Sequence, residues 1–347
     1  MIEKPLVGVD YPARIAQLRS WFPSDDACGD YLDWLRWPDG IICPRCGCVK
    51  AWKVSGRRRC AGCRRWVSVT AGTIFHGTRV PLTVWFEAAW LMCAPKNGVS
   101  AQTLAKVLPI GSYQTAWTML GKYRSAVESG GKDKLSGVVE VDEWFHGGVA
   151  KGGDSMTGKH LVMAALEHAP NGRGYGRLRL GVVQNRSAFA LRRFIHDNIE
   201  PRTRVITDGL STYKATMAGY VHEPRNESAP GADPAHELLP GVHRVFSLAE
   251  RWLLGTHQGG VQAGHLQEYL DEFTFRWNRR HATNRGLLFM RLLEHAVNAD
   301  PMPYSALVRT GIGGDEELPR PTVRSKPGTL EINPAGRPWR LDHAVAA

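Results

Sequence analysis

Two cysteine pairs constrain this chain more than any other feature. Cys43-Pro-Arg-Cys46 and Cys60-Ala-Gly-Cys63 each present two thiols across one tight turn, and the second pair follows soon after the first. Such a turn aims two thiolates at one ion, and two turns complete a tetrahedral site. Residues 49–59 between the pairs have strand and turn character. The spacing therefore predicts a zinc ribbon with structural Zn²⁺ on Cys43, Cys46, Cys60 and Cys63. Four thiolates leave no open coordination position, so this zinc serves folding rather than catalysis, with a contribution on the order of 10 kcal/mol. A thioredoxin-like redox pair is the alternative, and two pairs this close argue against it. Cys48 breaks the spacing and reads as a spare, while Cys28 and Cys93 fall in apolar helical patterns and read as core. The chain has no apolar run long enough to span a bilayer and no signal-peptide core at Met1-Ile-Glu-Lys-Pro5. No membrane association and a cytoplasmic location are expected, and there cysteines stay reduced.

The partner class follows from charge. A formal net charge of +11 and a pI near 9.5 favour a polyanion, nucleic acid before membrane surface. The ribbon carries much of that charge: Lys50, Lys53, Arg57, Arg58, Arg59, Arg64 and Arg65 interleave with Trp52 and Trp66. The arginines are expected to contact DNA and the tryptophans to be mostly core. Before the ribbon, apolar periodicity predicts helices over 11–22 and 27–37, the second capped from Ser24. After it, an apolar helix over 82–94 precedes a helix over 101–108 capped by Ser100, a turn at Pro109-Ile-Gly111, and a helix over 113–127 capped by Ser112. Short helix, tight turn, longer helix is a helix-turn-helix pattern, in which Ser112, Tyr113, Gln114, Lys122 and Arg124 would face DNA. Residues 129–137 read as a linker.

Chemistry is concentrated further on, in Ser136-Gly-Val-Val-Glu-Val-Asp-Glu-Trp-Phe-His-Gly-Gly148. A β-branched run delivers Asp142, and alternation places Glu140 and Asp142 on one strand face. A second strand ends alike in Arg204-Val-Ile-Thr-Asp208-Gly209. Carboxylates at the ends of buried strands are costly without a cation, and two of them suit a two-metal phosphoryl-transfer site with Mg²⁺ or Mn²⁺. Ordinary Asp-Gly turn chemistry is the plainer alternative. The pattern predicts strands over 138–145, 159–167 and 176–184, a helix over 187–198 and a strand over 203–207. Three turn-connected strands form an antiparallel meander, and the helix crosses to a parallel strand. That order resembles the ribonuclease H-like fold, whose first and fourth strands are neighbours. The fold class is thus α+β and α/β multidomain: an N-terminal zinc ribbon, helix-turn-helix-like helices, and a mixed-sheet catalytic domain.

Taken together the motifs resemble the insertion sequence 1595 family of DDE-type transposases. The resemblance rests on the cysteine quartet with Val67-Ser-Val-Thr-Ala-Gly-Thr-Ile-Phe75, the Val-Asp-Glu segment at Asp142, Thr207-Asp-Gly-Leu-Ser-Thr-Tyr213, Arg251-Trp-Leu-Leu-Gly-Thr-His-Gln-Gly259, and Tyr269-Leu-Asp-Glu-Phe-Thr-Phe-Arg-Trp-Asn-Arg-Arg280. It covers roughly residues 20 to 297. It implies movement of a DNA element, with Asp142 and Asp208 as the first two metal-binding acids. The family places a third ligand, Glu or Asn, near a helix start with a basic residue following. Here that third position falls on or next to His243, and the basic position falls on Glu250. His243 as ligand, favoured by a pre-helix position, Glu250 as a later carboxylate, and loss of the ligand are three readings that stay open. A helix over 264–280 brings Arg276, Arg279 and Arg280 to the DNA backbone, with Glu268, Asp271 and Glu272 balancing those arginines. A last helix spans 285–297, and 222–240 reads as a mobile loop. The expected domains are 11–75 for N-terminal helices and ribbon, 80–128 for the helical DNA-binding segment, 137–298 for the catalytic domain, and 299–347 for a poorly ordered tail. The implied partners are double-stranded DNA, as element ends and target, and further copies of the chain assembled on it. A nuclease of the same fold that does not join strands, and an inactive DNA-binding protein, are the rival functions.

Overall fold

The computed structural model describes residues 4–43, 45–54, 57–127, 133–147, 159–225 and 235–310. In chain order the elements are α1 (Ile15–Trp21), α2 (Asp25–Arg36), β1 (Ala51–Val54), β2 (Arg57–Cys60), β3 (Trp66–Val67), α3 (Leu82–Cys93), α4 (Ala101–Val107) and α5 (Tyr113–Ala126). There follow β4 (Val138–His146), β5 (His160–His168), β6 (Tyr175–Val183), α6 (Ala188–Asn198), β7 (Arg204–Thr207), α7 (Ser211–Thr216) and β8 (Val221–Pro224). The chain continues through α8 (Ala235–Leu238), α9 (Pro240–His257), α10 (Leu266–Asn278), α11 (Gly286–Asn298) and α12 (Tyr304–Thr310). It divides into two compact units: one runs through Val127 and takes the chain back from His281, and the other lies between those points.

In the first unit the amphipathic helices bury their aromatic residues together. Phe22, Tyr31, Phe86 and Trp90 surround Phe289 of α11, with Phe22 and Phe86 edge to face at 4.7 Å. This corrects the placement of the last helix in the catalytic domain: the apolar face of α11 is covered by α2, α3 and α5. α12 lies within the stretch expected to be a poorly ordered tail, and its Leu307 is fully buried against Gly121 of α5; 311–347 lie outside the described residues. Ser100 and Ser112 accept the Thr103 and Thr115 amides at 3.1 Å, satisfying donors that open α4 and α5.

The ribbon is a three-stranded antiparallel sheet, β1-β2-β3. One face packs on a small core of Trp37, Ile41, Cys43, Cys60 and Val67. Trp52 and Trp66 are not part of it. They are 52% and 55% exposed, because strand alternation sends them to the other face. The expectation that they are core is corrected.

The second unit is built on a five-stranded sheet of order β6-β5-β4-β7-β8. β4, β5 and β6 form the antiparallel meander, β7 runs parallel to β4, and β8 parallel to β7. This is the ribonuclease H-like arrangement, with the first and fourth strands adjacent. Alternation divides the sheet into two cores. Trp144, Val162, Leu166 and Ile206 pack against α9 and α10, while Val139, Val141, Met163 and Val205 pack against α6 and α7. The edge strand β6 would expose unpaired backbone groups. Side chains of α10 satisfy them: Asn278 accepts the Leu178 amide at 2.7 Å and donates to the Leu178 carbonyl, Gln267 does the same with Val182 and Leu180, and the Trp277 indole donates to Gly176. All of α8 and all but the first residue of β8 fall within 222–240, the stretch expected to be a mobile loop. The parallel register of β8 on β7 supplies order that a Pro- and Gly-rich sequence hides; 226–234 lie outside the described residues.

Candidate active site and zinc centre

The acidic site forms where β4 and β7 run side by side. Their register pairs Val138 with Arg204 and Glu140 with Ile206. Continued for two residues, it sets Asp142 opposite Asp208. Asp208 ends its strand in a turn, where its Oδ1 accepts the Leu210 amide at 2.9 Å and Gly209 takes φ +84°. The preceding Thr207 is steadied by His222 of β8, Oγ1 to Nε2 3.0 Å. Burial pushes the Asp208 carboxyl up from the usual range, and the charge of Asp142 adds to this. Asp142 is near enough for its charge to raise the Asp208 pKa, and carboxylate oxygens are the donors a hard divalent cation takes.

His243 is the third group. It lies in the first turn of α9, which begins at Pro240, rather than before the helix as expected. Its Nε2 is 3.3 Å from Asp142 Oδ2. Glu250 sits two turns further along, with Oε1 3.3 Å from His146 Nδ1 at the end of β4. Of the two groups considered for the third position, His243 is the one in contact with Asp142.

The position of His243 depends on Glu140, one alternation step before Asp142. The buried Glu140 carboxylate accepts the Val242 amide at 2.9 Å, at the positive end of α9, and Nε2 of His168 approaches its other oxygen at 2.8 Å. The helix reaches the sheet this closely only because residue 241 is glycine. A Cβ there would lie 2.4 Å from Tyr175 Cε1 and 2.7 Å from Glu140 Oε2.

A second buried carboxylate, Glu143, points to the opposite face of β4. It accepts a short hydrogen bond from the Tyr213 hydroxyl, and Arg186 Nε approaches its Oε1 at 2.9 Å. Burial raises its pKa, and the charges of Asp142 and Asp208 act in the same direction. Arg186 lies 4.8 Å from the Phe145 ring and lowers the pKa of both Glu143 and Asp208. It is a cation beside the acids where the helix after them carries Glu250. Sequence reasoning missed Arg186, Glu140 and Glu143 as parts of the site. Alternation alone signalled that Glu143 is a strand-borne acid needing a partner; nothing local pointed to Arg186.

At the ribbon, the Sγ atoms of Cys43, Cys46, Cys60 and Cys63 all lie within 4.8 Å of one another, the one such metal-ligating group among the described residues. Cys43 and Cys63 are 3.8 Å apart and Cys46 and Cys60 3.5 Å. A tetrahedron with Zn–S near 2.3 Å has edges of about 3.8 Å, so the quartet fits structural zinc. Amides of Arg45 and Cys46 hold the Cys43 thiol down at about 6, in favour of thiolate. Cys48 stands aside, its thiol donating to the Lys50 carbonyl.

The residues expected at DNA divide into two groups. Arg57, Arg59, Arg64, Arg65, Tyr113 and Gln114 are exposed. Arg58 is held by Asp33 in a bidentate pair that ties the ribbon to α2. Arg124 is 2% exposed, because its place on α5 falls on the packed face, and burial lowers the pKa of the half-buried Lys122. Arg280 donates to the Gly176, Tyr175 and Trp277 carbonyls and lies over the Trp277 ring, and Arg279 lies 4.1 Å from the Phe275 ring centroid. Those contacts make the partly buried Arg280 a brace between α10 and β6. Arg276 is partly buried. Asp271 and Glu272 are buried in α10, where the Gln267 amide donates to Asp271 Oδ1 at 2.9 Å.

Comparison with known proteins agrees with this architecture. Residues 134–278 match the ISXO2-like transposase domain, and residues 23–66 match the transposase zinc-ribbon domain of the same family. A protein of transposable element ISH50 from Halobacterium salinarum, itself uncharacterized, is 26% identical over 280 residues, covering 74% of this chain and 91% of its own length. The chain thus carries, in order, both domains of the insertion sequence 1595 transposases, on a matching sheet and cysteine quartet.

Proposed function

We propose that this chain hydrolyses a phosphodiester at each end of its DNA element and then joins the freed 3′-hydroxyl to target DNA at the same site. The observation that carries the reading is the convergence of Asp142, Asp208 and His243 from two neighbouring strands and a helix whose first turn is anchored on the same strand. Asp142 and Asp208 would hold Mg²⁺ or Mn²⁺, with His243 completing the set. When bound, such ions activate water or a 3′-hydroxyl and stabilise charge on the phosphoryl oxygens. The protein's own groups position the rest. Glu140 fixes the start of α9 and thereby the imidazole. Arg186, paired with Glu143, would supply positive charge beside the acids. Exposed Arg57, Arg59, Arg64 and Arg65 of the ribbon, and Gln114 at the start of α5, would contact the element ends. Arg276 and Arg279 stand near the end of α10 as further backbone contacts. Two ends must be brought together, so assembly of copies on DNA is part of the proposal.

Strand transfer tests it. Pre-cut duplexes carrying the inverted repeats that flank this gene are mixed with plasmid in Mg²⁺ or Mn²⁺, with wild type beside Asp208→Ala, His243→Ala and Glu250→Ala. Joining that is abolished by Asp208→Ala and His243→Ala but survives Glu250→Ala is expected. Cleavage without joining would move the reading to a nuclease, and binding without either reaction to an inactive DNA-binding protein.

A further inference from the structure

The exposed face of the ribbon sheet has no role in the fold or in the acidic site. Pairing sets Trp52 opposite Arg59 and Arg59 opposite Trp66, so these three side chains form a row across three strands. Arg57 shares that face by alternation. The Arg59 guanidinium lies 5.9 Å from the Trp66 ring centroid, and its Nε donates to the Arg64 carbonyl at 2.9 Å. The row is therefore braced while both indoles remain more than half exposed. Large aromatic surface left open on a small sheet marks an interaction site.

Charge identifies the occupant. From Cys43 to Val67 the sequence holds eight Lys and Arg and no Asp or Glu. Arg58 and Lys53 are paired with Asp33 and Asp30. Arg57, Arg59, Arg64 and Arg65 remain exposed around the row. An apolar protein surface would leave those cations desolvated without counter-charge, whereas a nucleic acid supplies phosphates for them and flat rings for the indoles. In an intact duplex the base faces are covered by their neighbours, so an indole reaches them only where bases are unpaired.

We propose that the Trp52–Arg59–Trp66 row is a stacking platform for the unpaired bases of single-stranded DNA, such as a frayed or nicked element end. Arg57, Arg64 and Arg65 would lie along its phosphates. The inference rests on the reading that the chain acts on DNA ends, and it does not depend on the chemistry of the acidic site.

The test is fluorescence anisotropy of the full-length, zinc-loaded chain with labelled oligo(dT) and with a blunt hairpin duplex, over a series of NaCl concentrations. The Trp52→Ala/Trp66→Ala variant should bind oligo(dT) about 5- to 100-fold more weakly, keep its duplex affinity within about twofold, and retain wild-type zinc content. Trp52→Phe/Trp66→Phe should restore most of the loss. Arg57→Gln/Arg65→Gln should flatten the salt dependence on both probes. Wild-type oligo(dT) affinity in the zinc-loaded alanine variant would overturn the proposal. So would wild-type protein that ignores oligo(dT). A fall in sedimentation mass with unchanged DNA affinity would also overturn it, assigning the row to contact between copies. Failure of the catalytic reading is separable: Asp208→Ala should leave oligo(dT) affinity unchanged, and a chain that binds oligo(dT) yet never joins ends loses the catalytic reading alone.

Discussion

The cysteine quartet and the acidic end of β4 both gather groups that repel one another when charged, and they do so by different means. At the ribbon, two local turns converge four thiols, and all four donors come from one short stretch of chain. At the acidic site, the donors come from β4, the end of β7 and α9, and their approach depends on strand register and on one glycine contact. A closed, locally built site tolerates change elsewhere in the chain. A site assembled from distant elements is exposed to any substitution that shifts one of them.

The largest effect that would break this contrast is at the ribbon. Cys60→Ser should lose zinc and unfold the ribbon, removing folding free energy on the order of 10 kcal/mol. Zinc content and tryptophan fluorescence would report it, with the acidic site's unit still folded by circular dichroism. Zinc retained at wild-type affinity would mean that Cys48 substitutes.

Next in size is chemistry at the acids. Asp208→Asn should reduce joining by roughly 10³-fold or more while leaving melting temperature unchanged or raised, because it removes a partly buried charge whose proton affinity is elevated. A variant that melts well below wild type would make Asp208 a structural residue.

Gly241→Ala sharpens the comparison more gently. The added methyl meets Tyr175 and Glu140, so α9 must move, at a cost of about 1–3 kcal/mol. Joining should fall further than stability does, because His243 moves with the helix. Equal losses in both would separate Gly241 from the site.

The smallest effect is a pH dependence. Burial raises the Glu167 pKa, but hydrogen bonds from Arg177 and the Ser136 amide outweigh it, so the net shift is downward. A depressed carboxyl contributes stability above its unfolded pKa, near 4.5, that is lost as pH falls through its lower folded value. Glu167→Gln should therefore lower the melting temperature at pH 7 and flatten its decline in acid. Parallel acid limbs for variant and wild type would remove the pair from the account.

Much of this protein was legible before its structure. Cys-x-x-C spacing acts locally, so the zinc ligands could be read directly. Period-two alternation placed β4, β5 and β6 within a residue or two, and Ser24, Ser100 and Ser112 cap the helices they were expected to cap. What failed depended on distant neighbours. Trp52 and Trp66 look like core residues by hydrophobicity, yet the ribbon has only one packed face. Arg58 and Arg124 look like DNA contacts by charge, yet Arg58 is paired with Asp33 and Arg124 is buried. β8 has no strand signal strong enough to stand without the edge of β7 to pair with.

The sequence by itself determined the zinc ribbon, the helical segment and the two strand-borne acids, because turns, caps and alternation are set by residues close together in the chain. Only the tertiary structure decided that His243 rather than Glu250 touches Asp142, that Arg186 stands beside the acids, and which cations remain exposed. Those outcomes follow from strand register and helix approach, where a shift of one residue reverses which face a side chain occupies.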